Sequence, residues 1–404
     1  MPADLAPFHL TETQLADIRD DFTQTLRDGV SGKNPELKCI PAYLPKPANP
    51  PAGEACVIDL GGTNLRAGGV KLGKGTADVL GVVAKDDRLM PEAKQPGKVQ
   101  PSDFFDRQAQ LAAKATNDRA LPVGYCFSYP AEIQPDGTAT LIHWTKDVQL
   151  QSLEGENIAA KLKDRLNELV DGDVPSIFTV NDTVATLLAA VVERPGADRY
   201  IGLIAGTGTN TAAYLAAKDV AKLKGDWADD EIAVNLESGN FHPRHLTDLD
   251  DEFDRTHSGG NAGGQRFEKA MAGSYLPYLF ARLAGDDAPD GFDPDAPDAG
   301  ADLVELRSRD DFAGRAARAL VDRSADLVAA KIAGLVGYYD DPGRVAVLGE
   351  GSFLTKTGGY IDRVRSRLDT LLPHARVELF THDDKPGKPS ANFVGAACAA
   401  LLAK

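Results

Sequence analysis

The segment VIDLGGTNLRAGGVKL, residues 57–72, sets two apolar, β-branched runs on either side of a Gly-Gly pair. With the flanking residues, ACVIDL (55–60) and TNLRAGGVKL (63–72) form a β-hairpin pattern. The turn also carries chemistry. Gly61 and Gly62 have no Cβ, so their backbone N–H groups can come close to an anion. Thr63 and Asn64 add polar contacts, Arg66 can balance negative charge, and Asp59 can hold a magnesium ion through water. An ordinary hairpin turn has the same residues, so the reading needs a second, independent signal.

That signal lies in YIGLIAGTGTNTAAYL, residues 200–215, where a second strand–turn–strand unit places Gly206, Thr207, Gly208 and Asn210 at its turn. Two glycine hairpins in one chain suit a triphosphate clamped between two related half-molecules. Between them, the strand-like SIFTV (176–180) runs through Asn181 and Asp182 into the apolar helix TVATLLAAVVE (183–193). Asp182 suits either of two roles, a helix N-cap or the base that accepts a proton from a substrate hydroxyl.

Further out, 121–127 reads as a strand, and RVAVLGEGSF (344–353) as a short strand ending in glycines. Leu10, Leu15, Ile18, Phe22 and Leu26 give residues 9–29 a helical period. PAYLPKPANPPAGE (41–54) reads as an extended connector, and AGDDAPDGFDPDAPDAGAD (284–302) as a mobile surface loop. Strands alternating with helices predict an α/β protein. Polar groups able to meet sugar hydroxyls occur in CFSYP (126–130) and LIHWTKD (141–147), which supply Ser128, Thr145 and Lys146. Others occur in NLESGNF (235–241), with Glu237, and GGQRFEK (263–269), with Gln265 and Glu268. LGEGSFLTK (348–356) imitates the glycine-rich loop of protein kinases, but no His-Arg-Asp or Asp-Phe-Gly segment follows, and no Walker Gly-Lys-Ser/Thr occurs.

Composition narrows the partners. The 404 residues are 43% hydrophobic and carry a formal net charge of −16, which repels nucleic-acid phosphates and anionic lipid. The N-terminal MPADL lacks the basic and apolar regions of a secretory signal, and no apolar run is long enough for a membrane span. Cys39, Cys56, Cys126 and Cys398 are scattered, which disfavours structural zinc and disulfides and points to the cytoplasm. His242 and His245 flank a proline and read as loop residues rather than metal ligands.

Taken in order, these segments resemble the hexokinase family of the actin-like ATPase superfamily, from about residue 29 to the C-terminus. VIDLGGTNLRAGGVKL and IGLIAGTGTNTAAY resemble its two phosphate motifs, and VAVLGEGSF its adenosine motif. FSYP with LIHWTK resembles the sugar segment, VNDTVATL the catalytic segment, and NLESGNF and GQRFEKAMAGSYL the two glutamate segments.

The resemblance implies two actin-like (ribonuclease H-like) domains, with mixed β-sheets flanked by helices and a cleft between them. The small domain would be 51–181 with the C-terminal helix 391–404, and the large one 1–50 and 182–390. It implies transfer of the γ-phosphoryl of ATP, with Mg2+, to the 6-hydroxyl of a hexose, glucose first. Asp182 would be the catalytic base, with Lys146 neutralising charge on the phosphate oxygens. Ser128, Thr145, Lys146, Asn181, Asn210, Glu237, Gln265 and Glu268 would contact sugar. Asp59, Gly61, Gly62, Thr63, Asn64, Arg66, Thr207, Gly208, Gly349, Gly351 and Ser352 would face nucleotide and magnesium.

Asp147 follows Lys146 where the family usually has glycine, Pro277 replaces another glycine, and DDKPGKPSANFVGAA matches the family's last glycine run only loosely. The rivals are a repressor-like bacterial glucokinase, whose zinc-binding Cys/His cluster is missing, and a non-catalytic sugar sensor on the same fold.

Overall fold

The structure, a computed structural model, describes residues 4–227, 231–257, 261–382 and 387–403. The expected domain ranges also include 1–3, 228–230, 258–260, 383–386 and 404, which lie outside the described residues, as do 383–386 of the loose C-terminal match. In chain order the strands are β1 (Ile40–Pro45), β2 (Gly53–Leu60), β3 (Leu65–Gly73), β4 (Thr76–Asp86), β5 (Val123–Phe127), β6 (Ala131–Ile133) and β7 (Ala139–Leu141). There follow β8 (Ile177–Val180), β9 (Arg199–Ala205), β10 (Thr209–Ala216), β11 (Glu231–Asn235), β12 (Arg344–Glu350) and β13 (Arg376–Thr381).

Both glycine hairpins form. β2 and β3 pair antiparallel with Asp59 opposite Arg66, and β9 and β10 pair with Ala205 opposite Thr209. Each hairpin seeds a sheet of one pattern. In the five-stranded sheet, ordered β4-β3-β2-β5-β8, an antiparallel meander is extended by two strands parallel to β2. In the six-stranded sheet, ordered β1-β11-β10-β9-β12-β13, a second meander is extended by two strands parallel to β9. The chain thus repeats one topology, an α/β architecture of two mixed sheets flanked by helices, as expected of the actin-like fold. β6 and β7 pair separately.

The central strands β2, β5, β9 and β12 are buried almost throughout because both faces are covered, whereas the edge strand β4 has no buried residue. Along β2, Cys56, Ile58 and Leu60 enter one core with Phe104 and Trp144, while Ala55 and Val57 enter another with Leu188 and Phe393. That second core also takes Tyr200, Ala212, Ala346 and Leu348 from the six-stranded sheet, so it lies between the two sheets. Two helices fill it, Asp182–Glu193 and Ala391–Leu402. They meet backbone to backbone. A Cβ added at Gly395 would lie 1.8 Å from the Ala185 carbonyl oxygen, and one at Gly124 of β5 would lie 2.0 Å from that of Ala396. The four cysteines are free and buried, with Cys39 and Cys56 pushed up to about 12 by desolvation.

Two expectations need correction. The proline-rich stretch is not all connector, because Ile40–Pro45 pairs with β11 at the edge of its sheet. An edge strand tolerates prolines whose missing N–H groups would break an interior ladder, and Ala42, Tyr43 and Leu44 are buried. The Asp-rich stretch is anchored rather than loose. Phe292 packs edge-on against Phe280 at 4.8 Å, and a helix, Ala299–Leu306, begins inside it and buries Leu303. Pro277, by contrast, does sit in the first turn of a helix, Leu276–Ala284, where its missing N–H removes no helical bond.

The Gly395 contact gives a direct test. Gly395→Ala drives a methyl group into a carbonyl with no side chain able to move aside, so the variant should lose at least about 3 kcal/mol, the upper end for overpacking. Thermal and denaturant unfolding would measure it; a melting temperature within a degree of wild type would contradict the close packing.

Candidate active site

Asp59, next to last in β2, is almost completely buried and is held by Arg66, whose Nη2 donates to its Oδ2 at 2.5 Å. Arg66 also lies 5.5 Å from the Phe393 ring, which ties the turn to the C-terminal helix. Inside the turn, Gly61 N–H donates to the Asn64 carbonyl (3.0 Å), and Asn64 Nδ2 donates to the exposed Thr63 hydroxyl (3.0 Å). Lys146 lies across Gly62 so closely that a Cβ there would come within 2.8 Å of the lysine Cδ. The Lys146 ammonium donates to the Ser128 carbonyl at 3.1 Å and stands 4.9 Å above the Tyr129 ring. The Tyr129 hydroxyl in turn donates to the Gly61 carbonyl at 3.3 Å. Tyr129 thus links the first glycine turn to the segment of Ser128, Thr145 and Lys146. Sequence reading missed it because it looked like one more core aromatic.

Lys146 and Asp147 both adopt left-handed backbone, with φ of 59° and 63°. Aspartate enters that region more readily than most side chains. The loop therefore keeps its glycine-like shape although Asp147 occupies the glycine position.

The helix after β8 is capped by Asn181, whose Oδ1 accepts from Val184 N–H at 2.8 Å. Asp182 is therefore not the cap. It is the first helical residue, and its Oδ1 accepts from Thr183 N–H at 2.7 Å and the Thr183 hydroxyl at 3.2 Å. Burial raises its pKa above the ordinary carboxylate range, against the pull of the Thr183 bonds and the Lys146 charge. Loss of water around Lys146 lowers the lysine, and Asp182 acts in the opposite sense. Asp59, Cys126, Lys146 and Asp182 thus form one electrostatic cluster.

A second cluster surrounds the Gly206–Gly208 turn. Glu268 Oε2 accepts from Thr209 N–H at 2.7 Å. Glu237 Oε1 accepts from Asn235 Nδ2 at 2.8 Å and from Asn210 Nδ2 at 3.2 Å, while Asn210 Oδ1 accepts from Ser238 N–H at 3.1 Å. Burial is the main cause raising the Glu268 pKa, and the nearby Glu237 charge adds to it. Glu237 and Gln265 both take left-handed backbone, and Gln265 begins the helix Arg266–Met271. Thr209, Asn235 and Ser238 complete this cluster and escaped the sequence reading. The only hint was polarity at the ends of apolar strands.

Thr207 is exposed on the turn, and its carbonyl accepts from Ser274 N–H and the Ser274 hydroxyl. Gly351, with φ of 111° and no room for a Cβ beside the Ala205 carbonyl, lies with Ser352 next to Gly206, while Gly349 pairs with Leu203 further back in the sheet. Among the described residues no hydrogen bond joins the two clusters. They are related through the helix of Asp182, which packs on β9 just before the second turn. His242 and His245 bond to the Gly263 carbonyl and to Asp17, and no group of three or more His, Cys, Asp or Glu among the described residues is arranged to hold a metal.

Two family models described as Hexokinase match residues 4–192 and 200–287. Hexokinase-1 of Saccharomyces cerevisiae is 32% identical over 289 residues, covering 67% of this chain and 58% of that protein. Hexokinase-3 of Homo sapiens is 29% identical over 288 residues, covering 69% of this chain and 30% of that protein. The matched region thus spans little more than half of the yeast relative and under a third of the human one. The fold matches a hexokinase from Schistosoma mansoni complexed with glucose, with a TM-score of 0.77, 24% identity, and 98% of this chain and 97% of that one covered. A ROK hexokinase from Thermus thermophilus matches with a TM-score of 0.54 and 18% identity, over 87% of this chain and 98% of that one. With both glycine turns and Asp182 inside the two matched regions, the chain belongs to the hexokinase family.

Proposed function

We propose that this chain transfers the γ-phosphoryl of ATP to the 6-hydroxyl of a hexose, with glucose as the first acceptor to test. The observation that carries the reading is Asp182. It is released from capping by Asn181, raised in pKa by burial and opposed to Lys146. A carboxylate whose pKa moves toward neutrality accepts a hydroxyl proton more effectively than an ordinary surface aspartate.

In this reading the triphosphate brings magnesium with it as part of the donor substrate. Magnesium keeps several waters and needs few protein ligands, so Asp59 would be enough to hold it while Asp182 serves as the base. Gly62, Thr63, Asn64, Thr207 and Gly208 supply N–H and hydroxyl donors to phosphate oxygens, Gly61 shapes the first turn through its own bond to the Asn64 carbonyl, and Arg66 orients Asp59. Gly349, Gly351 and Ser352 take the nucleoside side. Asp182 receives the proton of the 6-hydroxyl as the phosphoryl group arrives, and Lys146 with the backbone donors balances the charge that develops. Ser128, Thr145, Asn181, Asn210, Glu237, Gln265 and Glu268 hold the remaining hydroxyls. We assign residues 51–181 with 391–404 to a small domain and 1–50 with 182–390 to a large one, so that the sugar is held from both sides. No helix among the described residues is long and apolar enough to cross a membrane, and the scattered thiols suit a reducing cytoplasm.

A coupled assay for ADP release with glucose tests the reading against a sugar sensor on the same fold, which would bind glucose without releasing ADP. Asp182→Asn should lower kcat by about 10²–10⁴-fold with hexose affinity largely kept; a variant with near-normal kcat would remove Asp182 from the role of base.

The same substitution has a thermodynamic signature. A carboxylate with a raised folded pKa binds its proton more tightly in the folded state. Stability is therefore lost as pH climbs through the ordinary aspartate range toward that raised value, and the whole loss is present above it. At pH 7 Asp182→Asn should melt at or above the wild-type temperature, and the gap should close in acid. A variant destabilised at pH 7 contradicts this.

Glu237→Gln or Glu268→Gln should raise KM for the hexose much more than for ATP, by about tenfold for a lost charge-assisted bond. A rise confined to ATP would move these residues to the nucleotide side.

A further inference from the structure

Lys331 lies within the long helix Phe312–Val336, in a stretch of alanines, leucines and valines, and its side chain is completely buried. Its ammonium donates to the Thr209 hydroxyl at 3.0 Å and to the Ser238 hydroxyl at 3.3 Å, and stands 4.8 Å from the Phe267 ring. Neither hydroxyl has its own proton to spare. Thr209 Oγ1 donates to the Ile204 carbonyl (2.8 Å), and Ser238 Oγ donates to Thr211 Oγ1 (3.0 Å). Toward Lys331 both hydroxyls therefore act only as acceptors, and Lys331 donates to both. From the same two residues the chain leads directly to the carboxylates, since Thr209 N–H holds Glu268 and Ser238 adjoins Glu237.

We propose that Lys331 is a positioning residue for the hexose site, a buried cation that clamps the second glycine turn to the Glu237 segment and fixes the spacing of Glu237 and Glu268. The inference rests on the hexokinase reading of those glutamates. Burial pulls Lys331 down to about 7, with Glu268 pulling the other way. An apolar side chain of the same size would pack this helix at no such cost, since replacing a buried charge by a well-packed hydrophobe is often neutral or stabilising. A lysine kept here for packing alone has no physical advantage, whereas one that orders two acceptor carboxylates does.

Lys331→Met keeps the volume and removes the charge and donors. The variant should melt at or above the wild-type temperature, yet show a hexose KM raised about tenfold, with KM for ATP little changed. In a Glu268→Gln background the same change should raise hexose KM by less than about threefold, because the two act on one contact. Ser238→Ala, which removes one acceptor and leaves Lys331 in place, should raise hexose KM by a smaller factor in the same direction. A lowered melting temperature with hexose KM unchanged, or additive effects of Lys331→Met and Glu268→Gln on KM, would overturn the inference. If wild type phosphorylates no hexose, the proposed function falls, and melting temperatures of the single and double variants decide the clamp separately. Coupled shifts support it, and additive shifts overturn it.

Discussion

The close approach of the helices Asp182–Glu193 and Ala391–Leu402 governs this molecule. One helix lies under each sheet, and the two touch through glycine with no side chain between them. This seam brings the five- and six-stranded sheets into one core. It also aims the N-terminus of the first helix, and hence Asp182, at the region between the glycine turns. A wider seam would still allow two folded halves, but Asp182 would no longer stand opposite Lys146.

The repeated topology explains why each half contributes one glycine turn. In each sheet the hairpin sits where the meander gives way to parallel strands, so its turn emerges at the ends of strands backed by buried neighbours. A rigid turn needs no reorganisation when charge arrives, which is the condition under which backbone dipoles are most effective. The two turns differ in what they neighbour. The first is braced by Lys146, Tyr129 and Arg66, which are cationic or aromatic. The second is braced by Glu268, Asn210 and Glu237, which accept or relay hydrogen bonds. The first turn thus has positive charge beside it and the second has carboxylates.

Features that depend on neighbouring residues were legible in the sequence. The hairpins announced themselves by apolar runs around glycine, and the strand into Asn181 and Asp182 by the short apolar run SIFTV leading through a polar pair into a longer apolar one. What depended on distant partners was not. β1 looked like linker because its partner, β11, lies far along the chain, and nothing in a proline-rich stretch names a remote ladder. The roles of Asn181 and Asp182 could not be divided from sequence, since either side chain makes a good cap and only the backbone path decides. Lys331 was invisible for a third reason. One lysine in an apolar helix reads as an exposed position, and its burial follows from the turn stacked upon it.

The buried thiols carry a consequence of their own. Cys39 lies in the core around the long helix, Cys126 and Cys398 in the core between the sheets, and Cys56 in the core of the Phe104 and Trp144 aromatics. Each of the three hydrophobic cores therefore holds a sulfur that is protonated and screened from reagent while its surroundings stay closed. Alkylation of any one of them registers a transient opening of that core, so the natural sequence already distributes reporters for whether the molecule breathes as one unit or in parts.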